Sequence, residues 1–455
     1  MRAMSKIVFD HALLPGGWAA DAVIEIAADG GILSVGKGAK GGAERVAGVA
    51  VPGLPNVHSH AFQRAMAGLT EIAGESADNF WSWRELMYRF LAHLTPDDVE
   101  AIAALAYVEM LEAGFTAVGE FHYLHHQPDG RPYARVGEMA ERIAAATVIS
   151  GIGLTLLPVF YAQGGFGGAP LKPRQRRLAT DVPMFERLME AAQAVVAPLP
   201  GAALGVAPHS LRAVTPDQLK AVLAMRPDAP VHIHAAEQIG EVEDCLSWSG
   251  RRPVEWLLGQ HDVDKHWCLV HATHMNPGES TALAAAGAVA GLCPITEANL
   301  GDGIFDGVNF LAARGRIAIG TDSNVLLSAA GELRQLEYSQ RLRDRARNRL
   351  VQPGGSTGRR IFEAALAGGA QAMGRKLGRI EVGARADFVV LDPDHPAMVG
   401  KSGDFWLDGW IFAGGNSVVR ETWVGGKRLV AEGRHRERDA VRRRFRATVE
   451  RLAAA

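Results

Sequence analysis

The stretch VPGLPNVHSHAFQRA, residues 51–65, ends a short apolar run with two histidines one residue apart, His58 and His60. Side chains two residues apart on a β-strand point to the same face of the sheet. Both imidazoles would therefore project in the same direction from the end of a strand here. The pattern predicts a strand whose carboxyl end presents two histidines to one site.

Similar runs recur along the chain. Eight apolar or β-branched runs, most of them ending in His, Glu, Asp or Ser, begin near residues 49, 115, 151, 203, 230, 266, 287 and 316. Segments with helical spacing, such as PDDVEAIAALAYVEMLEAG at 96–114, lie between them. This alternation predicts a (β/α)8 TIM barrel, with the polar strand ends gathered at its mouth. A doubly wound sheet is the alternative, but no glycine fingerprint opens a helix after the first strand.

The two ends of the chain have a different sequence pattern from the middle. Residues 1–50 and 378–432 consist of short β-like pieces separated by glycine turns. We expect the two ends to combine into a small β-sandwich domain. The predicted organisation is 1–52 and 377–455 for that domain, the second part ending in a helix, and 53–376 for the barrel.

Composition narrows the classes of partner. The 455 residues carry a formal net charge of −2 at pH 7, which gives no general attraction to nucleic acid or to an anionic membrane. The sequence has no long uninterrupted apolar stretch and no recognisable export signal at its start. We therefore expect a cytoplasmic protein with a small-molecule partner. The three cysteines, Cys245, Cys268 and Cys293, are too few and too scattered for a disulfide framework. Cys268 and Cys293 lie in apolar runs and are predicted to be buried apolar residues.

Two further strand ends complete a candidate metal site. PVHIHAAEQ at 230–238 contributes His234, and IGTDSN at 319–324 contributes Asp322. Together with His58 and His60 they form a set of three imidazoles and one carboxylate, which suits one Zn²⁺ per subunit, with iron as the alternative. His232 lies deeper in the same strand and is expected to be an interior histidine.

The residues around this set indicate hydrolytic chemistry. Zinc lowers the pKa of bound water to near neutrality, which produces a nucleophile without a strong base. Asp322 would accept the proton of that water, and His271 in LVHATHM would hold the nucleophile or stabilise developing charge. Glu237 would carry protons to a leaving nitrogen, although a salt bridge at a helix start is its alternative role. The pattern predicts hydrolysis at a C=N carbon.

Five motifs resemble those of the amidohydrolase superfamily: the Pro-Gly-x-x-x-x-His-x-His opening, HIHAAEQ, LVHATH, GTDS and GARADFVVLD. The fourth strand has no lysine to bridge two metals, which is similar to the single-metal deaminase branch. NVHSHAFQRAMAGLTE, WSWRELMYRF, APHSLRAV and GLCPITEANLGDGIF resemble the N-formimino-L-glutamate deiminase family. The resemblance implies attack of water on a formimino carbon, release of ammonia, a role in histidine degradation and a homodimer.

An acidic substrate of this kind brings two carboxylates, which arginine binds well because of its fork geometry. Arg84 and Arg212 are the predicted contacts, with a helix-surface position as the alternative for Arg84. The family resemblance adds Gln63, Tyr123 and His209 as substrate contacts. The glycine-rich segment 161–178 is either a lid or an ordinary flexible loop.

Two other functions fit parts of the pattern. A deaminase of an aromatic base, of the guanine or triazine type, would use the same scaffold with stacking and amide contacts in place of two arginines. A catalytically inactive relative would serve as a binding or assembly protein. The presence of all four candidate ligands together with His271 and Glu237 argues against the inactive form.

Overall fold

The structure is a computed structural model that describes residues 3–38, 42–72 and 79–454. Its first sheet begins with four strands: β1 (Ala3–Leu14), β2 (Gly17–Ala27), β3 (Ile32–Lys37) and β4 (Glu44–Pro52). β2 runs antiparallel to both β1 and β3, and β4 runs parallel to β1. The amino-terminal segment thus forms one half of a sheet.

The second sheet is the barrel. Its strands are β5 (Leu54–Ser59), β6 (Phe115–His122), β7 (Gly153–Phe160), β8 (Ala203–Leu204), β9 (Ala207–Pro208), β10 (Val231–Ala235), β11 (Trp267–His271), β12 (Val289–Leu292) and β13 (Arg316–Ile319). They are parallel in the order β10-β11-β12-β13-β5-β6-β7-β8, and β9 pairs with β7. Bridges from Val206 to Val231 and from Ser210 to His234 join the two ends of this order. The predicted TIM barrel is confirmed, with its fourth run divided into β8 and β9.

The barrel strands alternate with helices, many of which begin at the signals seen in the sequence. Thr95, Thr215 and Asn276 each accept a hydrogen bond from a backbone N–H in the first turn, and a proline follows each of them. The helices are α1 (Phe80–Leu91), α2 (Pro96–Glu112), α3 (Glu138–Ser150), α4 (Val182–Val196), α5 (Pro216–Ala224), α6 (Ile239–Ser249), α7 (Pro253–Gln260), α8 (Pro277–Ala286), α9 (Pro294–Leu300), α10 (Gly307–Ala312), α11 (Ala329–Asp344) and α12 (Thr357–Ala372).

The carboxyl-terminal segment completes the first sheet. It supplies β14 (Phe388–Leu391), α13 (Phe405–Gly409), β15 (Val419–Val424), β16 (Lys427–Ala431), β17 (Arg434–His435) and α14 (Arg438–Ala453). β14 pairs antiparallel with β4, so one eight-stranded sheet contains both ends of the chain. Phe9 and Phe388 meet across its own apolar core, with ring centroids 5.0 Å apart. The expectation that the two ends combine into one β domain is confirmed.

The apolar run that begins near residue 49 is divided between the two sheets. β4 ends at Pro52, β5 begins at Leu54, and Gly53 lies between them. A Cβ on Gly53 would lie 2.2 Å from the Thr116 side chain, so only glycine allows this close approach. The sequence suggests a single strand here, whereas the chain leaves one sheet and enters the other. The domain limits at 52/53 and 376/377 remain predictions.

Two other general expectations can be compared with the structure. Cys268 and Cys293 are buried, as predicted, and Cys245 is buried too; all three are free thiols. Within the described ranges, every helix is too short or too polar to cross a bilayer.

Gly368 allows α12 to pack directly on the barrel, because a Cβ there would lie 2.0 Å from the Ile317 carbonyl oxygen of β13. We expect Gly368→Ala to lower the free energy of unfolding by about 1–3 kcal/mol, as overpacking does. Denaturant unfolding measures this change. Gly240→Ala is the matched control, since nothing lies within 4 Å of its Cβ position on α6. Equal stability of Gly368→Ala and the unmodified protein would contradict this account of the packing.

Candidate metal centre and active site

Four side chains from three parts of the barrel converge at its mouth. His58 lies on β5, His60 directly after it, His234 on β10, and Asp322 after β13, and one ligand atom of each lies within 4.8 Å of the others. His58 Nε2 is 3.2 Å from His60 Nε2, 3.1 Å from His234 Nε2 and 3.3 Å from Asp322 Oδ1. The four predicted ligands therefore form a cluster of the size that holds one metal ion.

Backbone carbonyls orient two of these imidazoles. His60 Nδ1–H donates to the Phe121 carbonyl at 3.0 Å, and His234 Nδ1–H donates to the His209 carbonyl at 2.9 Å. A carbonyl only accepts, so each neutral ring carries its proton on Nδ1 and turns an Nε2 lone pair towards the cluster. Burial lowers the pKa of both rings, which favours their neutral form.

The chemistry of this donor set fits a divalent cation. Burial is the main cause that lowers the pKa of His58, to about 3, although Asp322 opposes it. Lone pairs of three neutral imidazoles and one carboxylate repel one another at these distances, and a cation between them would remove that repulsion. Three nitrogens and one oxygen suit Zn²⁺ and also iron.

His271 lies beside the cluster among three carboxylates. Its Nε2 is 3.7 Å from Glu237 Oε1 and 4.0 Å from Asp322 Oδ2, and its Nδ1 is 3.3 Å from Glu297 Oε1. Burial alone would lower the pKa of His271, but these carboxylates outweigh burial and raise that pKa to about 10. Glu237 also lies 3.7 Å from Arg212 Nη2. The group has the charges needed to hold and move a proton.

Glu297 was not among the residues predicted from the sequence. It lies on α9, which follows the seventh barrel strand, in CPITEANL. It also accepts a hydrogen bond from the Cys293 backbone N–H at 2.8 Å, which holds its carboxylate in place. Its position just past the end of a predicted strand could have marked it as a candidate. Its contact with His271, however, depends on the packing of two neighbouring strands, which the sequence does not show.

The backbone at the mouth adopts left-handed conformations at several residues other than glycine. The φ angles are +67° at His271, +44° at Asp322 and +56° at Asn324. Such conformations cost about 1–3 kcal/mol each and collect at functional sites. Asn324 Nδ2 donates to the carbonyls of both His60 and Asp322 at 3.1 Å, so it links two ligand-bearing segments. Asn324 is a second residue that sequence reasoning missed.

A pocket opens above the cluster, and the predicted substrate contacts lie in its wall. Gln63 Nε2 donates to the Tyr123 hydroxyl at 2.8 Å. The Arg84 and Arg212 guanidiniums lie 5.7 and 5.8 Å from the centre of the Trp81 ring. The lining consists of His60, Gln63, Phe80, Trp83, Arg84, Met87, Tyr123, His209, Arg212, His234, Glu237, Leu300 and Asp322. The structure brings these side chains together, and their individual roles remain predictions.

Other histidines near the barrel ends have partners of their own. His232 is buried and donates from Nε2 to the Ala372 carbonyl at 2.7 Å, which fits the interior position expected for it. His125 and His126 donate to the carbonyls of Val159 and Ala179 at 2.9 and 2.7 Å. Neither of these two lines the pocket.

The segment 161–178 packs beside the pocket. It contains two short 3-10 turns, Phe166–Gly168 and Pro173–Gln175. Phe166 stacks on Trp248 with centroids 5.5 Å apart, and Arg174 forms an ion pair with Glu85 of α1. Whether this segment acts as a lid stays a prediction.

Comparison with known proteins agrees with the barrel and the ligand cluster. The model of the amidohydrolase family matches residues 49–429. The chain belongs to the amidohydrolase family. It is an enzyme, a hydrolase that acts on carbon–nitrogen bonds.

Two relatives match this amidohydrolase along nearly its whole length. A formimidoylglutamate deiminase of Pseudomonas aeruginosa is 54% identical over 449 residues, which cover 97% of this chain and 98% of the relative. The crystal structure of an amidohydrolase from Brucella melitensis has 55% identity and a TM-score of 0.94, covering 99% and 100% of the two chains.

A more distant relative has another activity in its name. A 5-methylthioadenosine/S-adenosylhomocysteine deaminase of Natronomonas pharaonis is 31% identical over 400 residues, covering 86% of this chain and 83% of the relative. The same family scaffold therefore occurs in a protein named for a nucleoside substrate.

The cluster predicts which residues hold the metal. We expect His234→Asn and Asp322→Asn each to weaken binding of a divalent metal by more than about 100-fold. Loss of a residue that only hydrogen-bonds to a ligand already weakens metal binding by up to about 100-fold, and loss of the ligand itself should cost more. Elemental analysis after dialysis against a weak chelator measures the metal content. His232→Asn, a change of a buried histidine on the same strand, should keep its metal. Full metal content in both ligand variants would contradict the site.

Proposed function

We propose that this amidohydrolase is a zinc-dependent deiminase that converts N-formimino-L-glutamate and water into N-formyl-L-glutamate and ammonia. The observation that best supports this substrate is the pair of arginines, Arg84 and Arg212, in the pocket above the ligand cluster. The whole-length identity to a protein named formimidoylglutamate deiminase supports the same reaction. The proposal includes a role in histidine degradation, a cytoplasmic location and a homodimer.

His58, His60, His234 and Asp322 would hold the metal. A bound divalent ion supplies a Lewis acid that lowers the pKa of water to about 7 in well-studied zinc sites. The carbonyls that accept from His60 and His234 keep both rings in the tautomer that ligation requires. Zinc is our choice because the donor set is nitrogen-rich.

Proton movement is assigned to three residues. Asp322 would accept a proton from the attacking water, because its carboxylate belongs to the ligand cluster beside which that water would bind. His271, held by Glu297, would donate a hydrogen bond to the oxygen that becomes the formyl oxygen. Glu237 would pass a proton to the departing nitrogen. The water oxygen ends in the formyl group, and the water protons accompany the amidine nitrogen as it leaves as ammonia.

Charge and hydrogen bonding support an acidic substrate. Within the described residues, no carboxylate lies at ion-pair distance from Arg84, which leaves its charge available to a ligand. Arg212 is buried and lies 3.7 Å from Glu237 and 5.8 Å from the centre of the Trp81 ring. Gln63, Tyr123 and His209 would complete the contacts around the amino-acid part of the substrate. A planar uncharged base would leave the Arg84 guanidinium without a counter-charge, at a cost in affinity.

The deamination of a purine is the second candidate, supported by the 31% identity to the Natronomonas pharaonis protein. The aromatic side chains of Phe80 and Trp83 in the pocket would favour it. It shares the metal and the proton path with the first candidate, so the substrate assay separates the two.

We expect zinc-loaded protein to release ammonia from N-formimino-L-glutamate and to leave guanine and S-adenosylhomocysteine intact. His271→Ala should lose at least about 100-fold in kcat, as expected for loss of a hydrogen-bond donor to the reacting oxygen. A coupled glutamate dehydrogenase assay reports the ammonia. Turnover of a purine without turnover of the acidic substrate would replace the first candidate by the second.

The arginines have a separate test. Arg84→Met and Arg212→Met should each lower kcat/KM for the acidic substrate by about 100-fold or more, since a charge-assisted pair contributes strongly in a buried site. Steady-state kinetics measures this ratio. Arg379→Met is the control, because Arg379 has a side chain 61% exposed and lies outside the pocket. Normal turnover in both pocket variants would overturn the assignment of an acidic substrate.

A further inference from the structure

Arg84 is half-buried in the pocket wall, and its charge lies among aromatic side chains. Its guanidinium lies 5.4 Å from the centre of the Tyr88 ring and close to Trp81. It interacts with the Tyr88 hydroxyl, and its Nη2 donates to the Tyr161 hydroxyl at 2.8 Å. An arginine has five N–H donors, so most of them stay available for a ligand. The direction in which they point depends on what holds the guanidinium.

Tyr161 provides that contact. It is the residue directly after β7, and its side chain is buried. Its hydroxyl oxygen accepts from Arg84 Nη2 at 2.8 Å and from Gln175 Nε2 at 2.7 Å. Two donors therefore fix this oxygen from opposite segments, α1 and the 3-10 turn Pro173–Gln175.

The rest of Tyr161 is equally constrained. Its backbone N–H donates to Thr180 Oγ1 at 3.1 Å, and its carbonyl accepts from the Thr180 N–H at 2.9 Å. Its ring packs edge-on against His209, with centroids 4.7 Å apart. Tyr161 thus connects Arg84 with His209, two predicted substrate contacts on different elements.

Gln175 is held in turn by its own segment. Its Oε1 accepts from the Lys172 backbone N–H at 2.8 Å, and its side chain is buried. Arg174, its neighbour, forms the ion pair with Glu85 that ties the segment to α1. The segment 161–178 is therefore joined to the helix that carries Arg84 by a hydrogen bond and an ion pair.

We propose that Tyr161, supported by Gln175, is a positioning residue that orients the Arg84 guanidinium towards one carboxylate of a dicarboxylate ligand. The inference rests on the proposed function for the identity of that ligand. It gives segment 161–178 a role in selecting acidic substrates. Preorganisation of Arg84 would raise affinity by removing the cost of ordering a long side chain at the moment of binding.

Tyr161→Phe tests this role, because it keeps the ring against His209 and removes only the hydroxyl. We expect KM for N-formimino-L-glutamate to rise about 10- to 100-fold, the range for one hydrogen bond to a charged group, with kcat within about threefold of the unmodified enzyme. Gln175→Leu should raise KM in the same direction and by less. Arg84→Met added to Tyr161→Phe should have a much smaller effect than Arg84→Met alone, since the two residues act through one contact.

Two controls separate positioning from general damage. Tyr133→Phe removes a hydroxyl that accepts from Arg177 at 3.5 Å and should leave KM unchanged. Formamidine, which has the amidine and no carboxylate, should be turned over equally by the unmodified enzyme and by Tyr161→Phe. A parallel loss with formamidine, or an unchanged KM for the acidic substrate, would overturn the positioning role.

Calorimetry with glutarate gives a readout that does not depend on turnover. Glutarate should bind about 10- to 100-fold more weakly to Tyr161→Phe, with equal metal content in the two proteins. If glutarate binding weakens while the unmodified protein releases no ammonia, the proposed function fails and the positioning role stands. Equal glutarate affinity, or no glutarate binding by either protein, would overturn the positioning role whatever the activity.

Discussion

The convergence of three imidazole nitrogens and one carboxylate oxygen on a single point is the constraint on which the rest of the structure depends. The ligands come from the strands β5 and β10 and from the turn after β13, so the point exists only when the barrel is closed. Backbone hydrogen bonds join two of these segments directly, since the Asp322 N–H donates to His58 and the His60 N–H donates to Asp322. The register of the strands therefore determines the geometry of the ligands.

A second layer of contacts determines what the first can do. Carbonyls of Phe121 and His209 select the tautomers of two ligands, Glu297 holds His271, and Asn324 links the segments of His60 and Asp322. Each of these contacts joins residues from different elements of the barrel. The left-handed backbone at His271 and Asp322 is sustained by the surrounding packing, which supplies more free energy than these conformations cost.

In the proposed function, chemistry and specificity occupy different parts of the molecule. The ligand cluster and the residues proposed to move protons belong to the barrel, whereas Arg84 lies on α1 and its contact Tyr161 begins the segment after β7. A family scaffold can therefore keep its metal site while loops change the substrate, which is how one barrel serves many reactions. Relatives named for an amino-acid derivative and for a nucleoside fit this division.

The sequence by itself determined the eight barrel strands, the pairing of the chain ends and the convergence of four candidate ligands. These follow from local patterns, because alternation of side chains and polar strand ends can be read from neighbouring residues. Tertiary structure alone decided that one apolar run divides at Gly53 and that Glu297 contacts His271. It also decided that Asn324 and Tyr161 hold other site residues. These roles depend on distances between segments far apart in the chain, and no local pattern contains such distances.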